Sequence, residues 1–374
     1  MTTLEIMETM NEQLLRTPLY DAHVALKARM VPFGGWEMPV QYEGILAEYD
    51  DTRNRVSIFD ISHMGEFLVE GDLKASGLDK LVTMRLDDLP VKSSRYGCIC
   101  NEDGGVIDDC IIFRIAEDKW FVVVNGATIE KDAAHFKKHL TDQATFTDLS
   151  MQLGKIDIQG PQSREVLKSL VPEIESLEYF AFDHFTLLDE ENVLISRTGY
   201  TGELGYEIFF PWDKTEKLWQ KLLSDDSVKP AGLGARDILR LEMGYSLYGH
   251  ELDDNTSPLE SGLSRFIDLE KDFIGKEKIV QQKQDGVTKK IVGFISESRR
   301  SPRAEQKLFN EAEEEIGWVT SGCFSPALGY GIGLGFVNAD QAKRDSKIFF
   351  GNDKSKVPAI ISKRIFHQSK SIKS

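Results

Sequence analysis

Two adjacent carboxylates interrupt an apolar stretch, Val106-Ile107-Asp108-Asp109-Cys110-Ile111-Ile112. Neighbouring residues of a strand point to opposite faces. One aspartate must therefore turn inward unless the strand bulges, and an inward carboxylate requires a partner or a task. The pair also fits a solvated position close to a turn. A second segment, Thr198 to Glu207, places glycine at 199, 202 and 205. Such a loop lets backbone come close to a ligand. Tyr200 offers a ring face, and Glu207 a carboxylate that can accept two parallel N–H bonds from an amidine-like edge. A tight glycine turn feeding a strand is the alternative. Arg236 stands just beyond Gly234 at a helix start, where a cation opposes the helix dipole. An anionic ligand would account for it, and so would a salt bridge to Asp237 or Glu242.

Other patterns point away from chemistry. His135 and His139 are four apart on a charged segment without an HExxH glutamate, which reads as a solvated face and not as zinc ligation. Gly329 to Gly335 alternates glycine with large residues; it is GxGxG with no helix after it, so no dinucleotide fingerprint is present. Cys98, Cys100, Cys110 and Cys323 form no CxxC pair, and the first three lie in segments rich in Ile and Val, as buried free thiols do. No P-loop, nucleophile elbow or kinase signature occurs.

The elements that must hold these residues follow from periodicity. Glu43 to Asn54 has helical spacing of Ile45, Leu46 and Tyr49. Tyr96–Cys100 and Val106–Ile115 read as a hairpin closed by Asn101 to Gly105, with Trp120–Asn125 as a third strand. From Gly154 a strand, a helix entered at Pro161, strands near 184–188, 193–197 and 206–210, and a helix opened by Asp213 give the order of a ferredoxin-like α+β unit. A further helix starts near Ala235. Polar Gln281 to Thr288 reads as a boundary. Beyond it, strands and turns predominate, as in a small β-barrel or sandwich.

The chain has 374 residues, 41% hydrophobic and 28% charged, room for two or three domains with real cores. Met1 to Leu15 lacks the basic start, apolar stretch and cleavage site of a secretory signal, and no apolar run is long enough to span a membrane, so a cytoplasmic or organelle-matrix location is expected. Residues 286–374 hold 15 Lys/Arg against 9 Asp/Glu, a net +6, so residues 1–285 carry −22 of the overall −16. An acidic body argues against nucleic-acid binding. The basic end leaves room for an acidic partner.

Several blocks then occur together: Thr17-Pro18-Leu19-Tyr20, Met30 to Tyr42, Phe59-Asp60-Ile61-Ser62-His63-Met64, Gly104 to Asp109, Arg197 to Glu207, Gly232 to Asp237, and Thr320 to Pro326. In this order, across roughly residues 17–366, they resemble the T-protein family of the glycine cleavage system. The resemblance implies an α+β fold: a three-domain ring with ferredoxin-like folate-binding units and a C-terminal barrel. The expected division is 1–285, with a second subdomain from near 150, and 286–374. It implies an aminomethyltransferase that takes its one-carbon unit from the lipoyl arm of H protein and passes it to tetrahydrofolate, with no metal. It implies Asp108 as the central carboxylate, Glu207 as the acid on the pterin edge, and Tyr200, Arg236, Tyr96 and Met64 as further folate-site residues. A preplaced carboxylate would stabilise positive charge developing on the transferred carbon.

The sequence departs from the family at Arg265, where a Trp is frequent, and at Lys363-Arg364-Ile365-Phe366-His367, which lacks the usual proline and late tyrosine. A tetrahydrofolate-dependent demethylase of the same fold is therefore the second reading. A non-catalytic folate-binding protein comes last, since its expected cysteine motif is not seen around Cys323.

Overall fold

The computed structural model describes residues 14–373. Most of the amino-terminal segment used above to judge a leader lies outside the described residues. The described chain enters through a short helix, Tyr20–Ala25, and a hairpin, β1 (Arg29–Phe33) and β2 (Trp36–Gln41), then a helix, Ile45–Asn54, and β3 (Val56–Asp60). All five residues of β3 are buried, because its place is inside a sheet completed much later in the chain.

The first unit is a five-stranded sheet built from β4 (Gly65–Glu70), β5 (Ser94–Cys100), β6 (Val106–Ala116), β7 (Lys119–Val124) and β8 (Thr145–Asp148), in the order β5-β6-β7-β4-β8. The apolar run in β7 is buried at every residue from Trp120 to Val124, with the helix Ile129–His139 across one face through Ala133 and Phe136.

The second unit contains β9 (Leu153–Gln159), β10 (Phe182–Leu187), β11 (Glu190–Ser196), β12 (Gly205–Pro211) and β13 (Val228–Pro230). Together with β3 they form a six-stranded sheet, β10-β11-β12-β9-β3-β13. Its apolar face, including Ile156, Ile158, Tyr206 and Ile208, buries Leu218, Trp219 and Leu222 of the helix Thr215–Leu223. Burying side chains of this size contributes about 1.5–3 kcal/mol each.

The carboxy-terminal strands β14 (Lys289–Ser296), β15 (Lys307–Phe309), β16 (Glu315–Ser325), β17 (Tyr330–Asn338), β18 (Lys347–Asn352) and β19 (Ser355–Ser362) close into a barrel. Gly333 of β17 faces the Phe294 ring so closely that an added Cβ would lie 2.4 Å from it. The glycines that alternate with large residues along β17 thus leave a bare strand face for close packing. Gln281 to Thr288 is not wholly a linker: its first half completes the helix Lys276–Asp285, which buries Ile279.

The units close on one another. Phe113 and Phe121 of the first meet Phe182, Leu194 and Phe209 of the second. Tyr49, Phe59 and Leu239 meet Ile291, Cys323 and Ile332 of the barrel. Arg53 ties the joint, reaching Glu203 and Glu242 at 2.8 Å each, while Ser325 of β16 donates to Glu242 at 2.6 Å.

Candidate active site

In the β5–β6 hairpin, Ile99 faces Asp108 and Tyr96 faces Ile111. Asp108 shares its strand face with Cys110 and Ile112, which belong to the core under the helix Ile129–His139. It is 0% exposed. Its carboxylate accepts hydrogen bonds from the Asn125 backbone N–H at 2.9 Å, the Asn125 side chain at 2.7 Å and the Thr128 hydroxyl at 2.8 Å. Asp109 turns the other way. Tyr96 donates to it at 2.8 Å and Asn125 Nδ2 at 2.8 Å. It shares its strand face with Ile111 and Phe113, which pack against Phe182, Leu194 and Phe209 of the second unit, so Asp109 is on the face turned to the junction of the units. Strand alternation thus separates the two aspartates. Asp108, expected beside the reacting atoms, turns toward the first unit's own core, and its neighbour Asp109 turns toward the second unit.

Burial and, after it, the charge of Asp108 push the Asp109 carboxyl up to about 7. Burial also raises Asp108, against the pull of its hydrogen bonds from Asn125 and Thr128. The strand exit after Asn125 needs glycine: a Cβ on Gly126 would sit 2.4 Å from the His63 carbonyl oxygen.

The second unit supplies the opposite wall. Lys155, Asp157 and Gln159 alternate with Ile156 and Ile158 on β9, and all three polar side chains are buried. Glu207 on β12 pairs in register with Asp157. It accepts a short hydrogen bond from Thr198 and stands 3.3 Å from Lys155 Nζ. Arg236 contacts Asp157 at 2.8 Å, and its guanidinium lies 4.9 Å from the Tyr200 ring centroid. This accounts for a cation at the helix start: Leu233–Glu242 carries Arg236 into a carboxylate and an aromatic face. The Tyr200 hydroxyl donates to the Ser246 carbonyl, and its ring stacks on Tyr245 at 5.6 Å. Glycines 199 and 205 fit against Gln159, where an added Cβ would approach within 2.1 and 2.0 Å, so these two serve packing within the protein.

Met64 Sδ lies 3.8 Å from Lys155 Nζ. Two residues beyond, Glu66 is 0% exposed and neither carboxyl oxygen has a hydrogen-bond partner. Burial drives its pKa well above the carboxylate range, with Lys155 opposing and Glu207 adding to the rise. At the two positions of family departure, Arg265 lies over Phe266, which meets Tyr96 edge-on at 4.7 Å. Arg364 binds the Ser246 hydroxyl and the Ser261 carbonyl at 2.5 Å each, joining the chain's end to the residue that anchors Tyr200.

Of the expected residues, Tyr96 bonds Asp109 on the first unit, Arg236 stands beside Tyr200 on the second, and Met64 approaches Lys155, which pairs with Glu207. Asp109, marked in the sequence only as the neighbour of Asp108, stands with them, and Asn125, Lys155, Asp157 and Glu66 do so without having been singled out. Two shallow surface hollows elsewhere hold none of these side chains. The arrangement offers carboxylates on two sides, aromatic walls, and a buried carboxyl with unused hydrogen-bonding capacity. Such a set suits a flat, nitrogen-rich ligand presented to a carboxylate.

Fold and site together define a two-unit α+β body closed by a barrel, with its polar groups gathered where the units meet. The family model described as GCVT N-terminal domain matches residues 19–271, and that of the glycine cleavage T-protein C-terminal barrel domain matches residues 289–368. The chain belongs to the glycine cleavage T-protein family, a family of aminomethyltransferases. An aminomethyltransferase of Pseudothermotoga lettingae is 43% identical over 363 residues, covering 96% of this chain and 99% of the relative. That of Flavobacterium psychrophilum is 38% identical over 356 residues, covering 94% and 99%. The crystal structure of glycine cleavage system aminomethyltransferase T from Bartonella henselae superimposes with a TM-score of 0.89 at 30% identity, covering 96% of this chain and 99% of that one.

Proposed function

We propose that this enzyme takes the one-carbon unit from the aminomethyl-lipoyl arm of H protein and delivers it to tetrahydrofolate, giving 5,10-methylenetetrahydrofolate, ammonia and dihydrolipoyl H protein. The observation that supports it most is Asp109, held by Tyr96 and Asn125 on the strand face turned to the second unit, where Glu207 is paired with Lys155. The relatives named above support transfer over the demethylase reading.

The residues present fit a folate. Glu207 provides a carboxylate for an amidine edge, and Tyr96 and Tyr200 provide aromatic surface. Glu66 is a buried carboxyl without a partner. Tetrahydrofolate, when bound, supplies the amine nitrogens that accept the one-carbon unit. Asp109 sets a negative charge where positive charge develops on the transferred carbon, which lowers the barrier most in a site closed to water. Tyr96 and Asn125 fix that carboxylate, so no reorganisation is required at the moment of transfer. Arg236, neutralised by Asp157, shapes the wall beside Tyr200. The basic barrel end meets the acidic carrier. The reading assigns no metal, nucleic acid or membrane, and a cytoplasmic or matrix location.

The test mixes the enzyme with tetrahydrofolate and aminomethylated H protein. Folate-dependent release of ammonia with formation of methylenetetrahydrofolate is expected. Folate binding without ammonia release would contradict the assignment.

A further inference from the structure

Behind the site, on the first turn of the helix Ile129–His139, lies Asp132, a residue with no part in the account so far. It is 0% exposed. Neither of its carboxyl oxygens accepts a hydrogen bond; the nearby Thr128 hydroxyl is directed to Asp108 and the Asn125 carbonyl instead. The group lies against the carboxyl of Asp108, which is equally buried. Two ionised carboxylates in contact inside a dry core repel strongly and lack the water that would solvate them. One proton must sit between them.

The surrounding donors decide which oxygen carries it. Asp108 already accepts three hydrogen bonds, two from Asn125 and one from Thr128. Asp132 accepts none. A carboxylate surrounded by donors keeps its charge, and a carboxyl without donors keeps its proton. Asp132 is therefore the acid and Asp108 the base of the pair. The other charged or titratable groups near Asp132 are Lys131 on its own helix and Cys110 on β6, and the cysteine is a buried thiol.

We propose that Asp132 is a positioning residue, donating its proton to Asp108 so that Asp108 remains a pure acceptor and holds Asn125 with its amide nitrogen toward Asp109. The proposal rests on Asp109 as the site carboxylate. The Asn125 side chain bridges the two aspartates through one nitrogen, at 2.7 Å to Asp108 and 2.8 Å to Asp109. If Asp108 instead held the proton, it would lose acceptor capacity toward Asn125, and the amide could turn its oxygen inward. The chain of contacts from helix to site runs Asp132, Asp108, Asn125, Asp109, Tyr96.

Two measurements test this. Infrared difference spectra of wild type minus Asp132→Asn, at a pH about one unit above the neutral point so that Asp109 is ionised, should show the C=O stretch of one protonated carboxyl. Absence of that band overturns the proposal, whether or not the protein turns over aminomethylated H protein. In the transfer assay, Asp132→Asn, which keeps a donor toward Asp108, should hold kcat within about threefold of wild type. Asp132→Leu should lose about tenfold or more in kcat with KM for folate little changed, and its acid limb should shift. Equal losses in the two variants, or no loss in Asp132→Leu, would overturn it. If the leucine variant does not fold, the infrared spectrum and the asparagine variant still decide.

Discussion

Tyr96 reaches diagonally across the β5–β6 hairpin to Asp109, which sits opposite Cys98, the phenol donating to the carboxylate at 2.8 Å. The bond favours the charged form of Asp109 and partly offsets the burial and the Asp108 charge that raise it to about 7. If turnover needs ionised Asp109, kcat rises with pH through that value. Tyr96→Phe removes a hydrogen bond to a charged group, worth about 1.5–3 kcal/mol, or roughly one to two pH units. The acid limb of kcat should move to higher pH by about that amount, read from initial rates across the pH range. An unmoved limb would mean that the limb belongs to another group.

Lys155 and Glu207 form a buried pair at 3.3 Å. Glu207→Ala should weaken tetrahydrofolate binding by tenfold or more, since a charged contact is worth about 1.5–3 kcal/mol. It should also destabilise the fold by about 3–5 kcal/mol, because Lys155 is left charged and buried. Adding Lys155→Met should restore much of the stability but none of the folate affinity. Chemical denaturation and folate titration of the three proteins separate the two effects.

Arg53 is 9% exposed, and its two carboxylate partners Glu203 and Glu242 are also buried. Arg53→Met leaves both without their cation. Glu242 retains Tyr49 and Ser325, and Glu203 retains Ser369 and Ser371. A stability loss of about 3–5 kcal/mol is expected from urea unfolding, in line with removing one partner of a buried ion pair. A loss below about 1 kcal/mol, the size of an exposed pair, would contradict the role given to this joint.

Much of the fold could be read from periodicity, because the strands carry long apolar runs and the helices clear stripes. The hairpin carrying the aspartates and the strand Trp120 to Val124 are of this kind. β3 was harder to place, since its sheet is assembled from segments far apart in sequence and local pattern carries no record of that pairing. Helix Lys276–Asp285 is not legible in the sequence, because its surface is polar and it buries little beyond Ile279. In the site, alternation showed that the two aspartates must part but not which faces the centre: apolar residues flank them on both sides of the strand. Lys155, Asp157 and Gln159 did leave a signal, three polar residues at alternate positions of an otherwise apolar strand. One buried polar face at that spacing requires partners, and Glu207, Arg236 and Thr198 are those partners. Asp132 left none, since an acid in the first turn of a helix is ordinary.

The most direct test compares Asp109→Asn with Asp108→Asn in the assay with tetrahydrofolate and aminomethylated H protein. Asp109→Asn should bind folate within an order of magnitude of wild type and lose about 10²–10³ in kcat, as when one preorganised electrostatic group is removed. Asp108→Asn should act mainly through the fold, lowering stability because buried donors lose their acceptor, with a smaller loss of kcat in the protein that remains folded. Near-normal turnover by Asp109→Asn, with the large loss found instead in folded Asp108→Asn, would contradict the assignment of Asp109 as the carboxylate at the reacting centre.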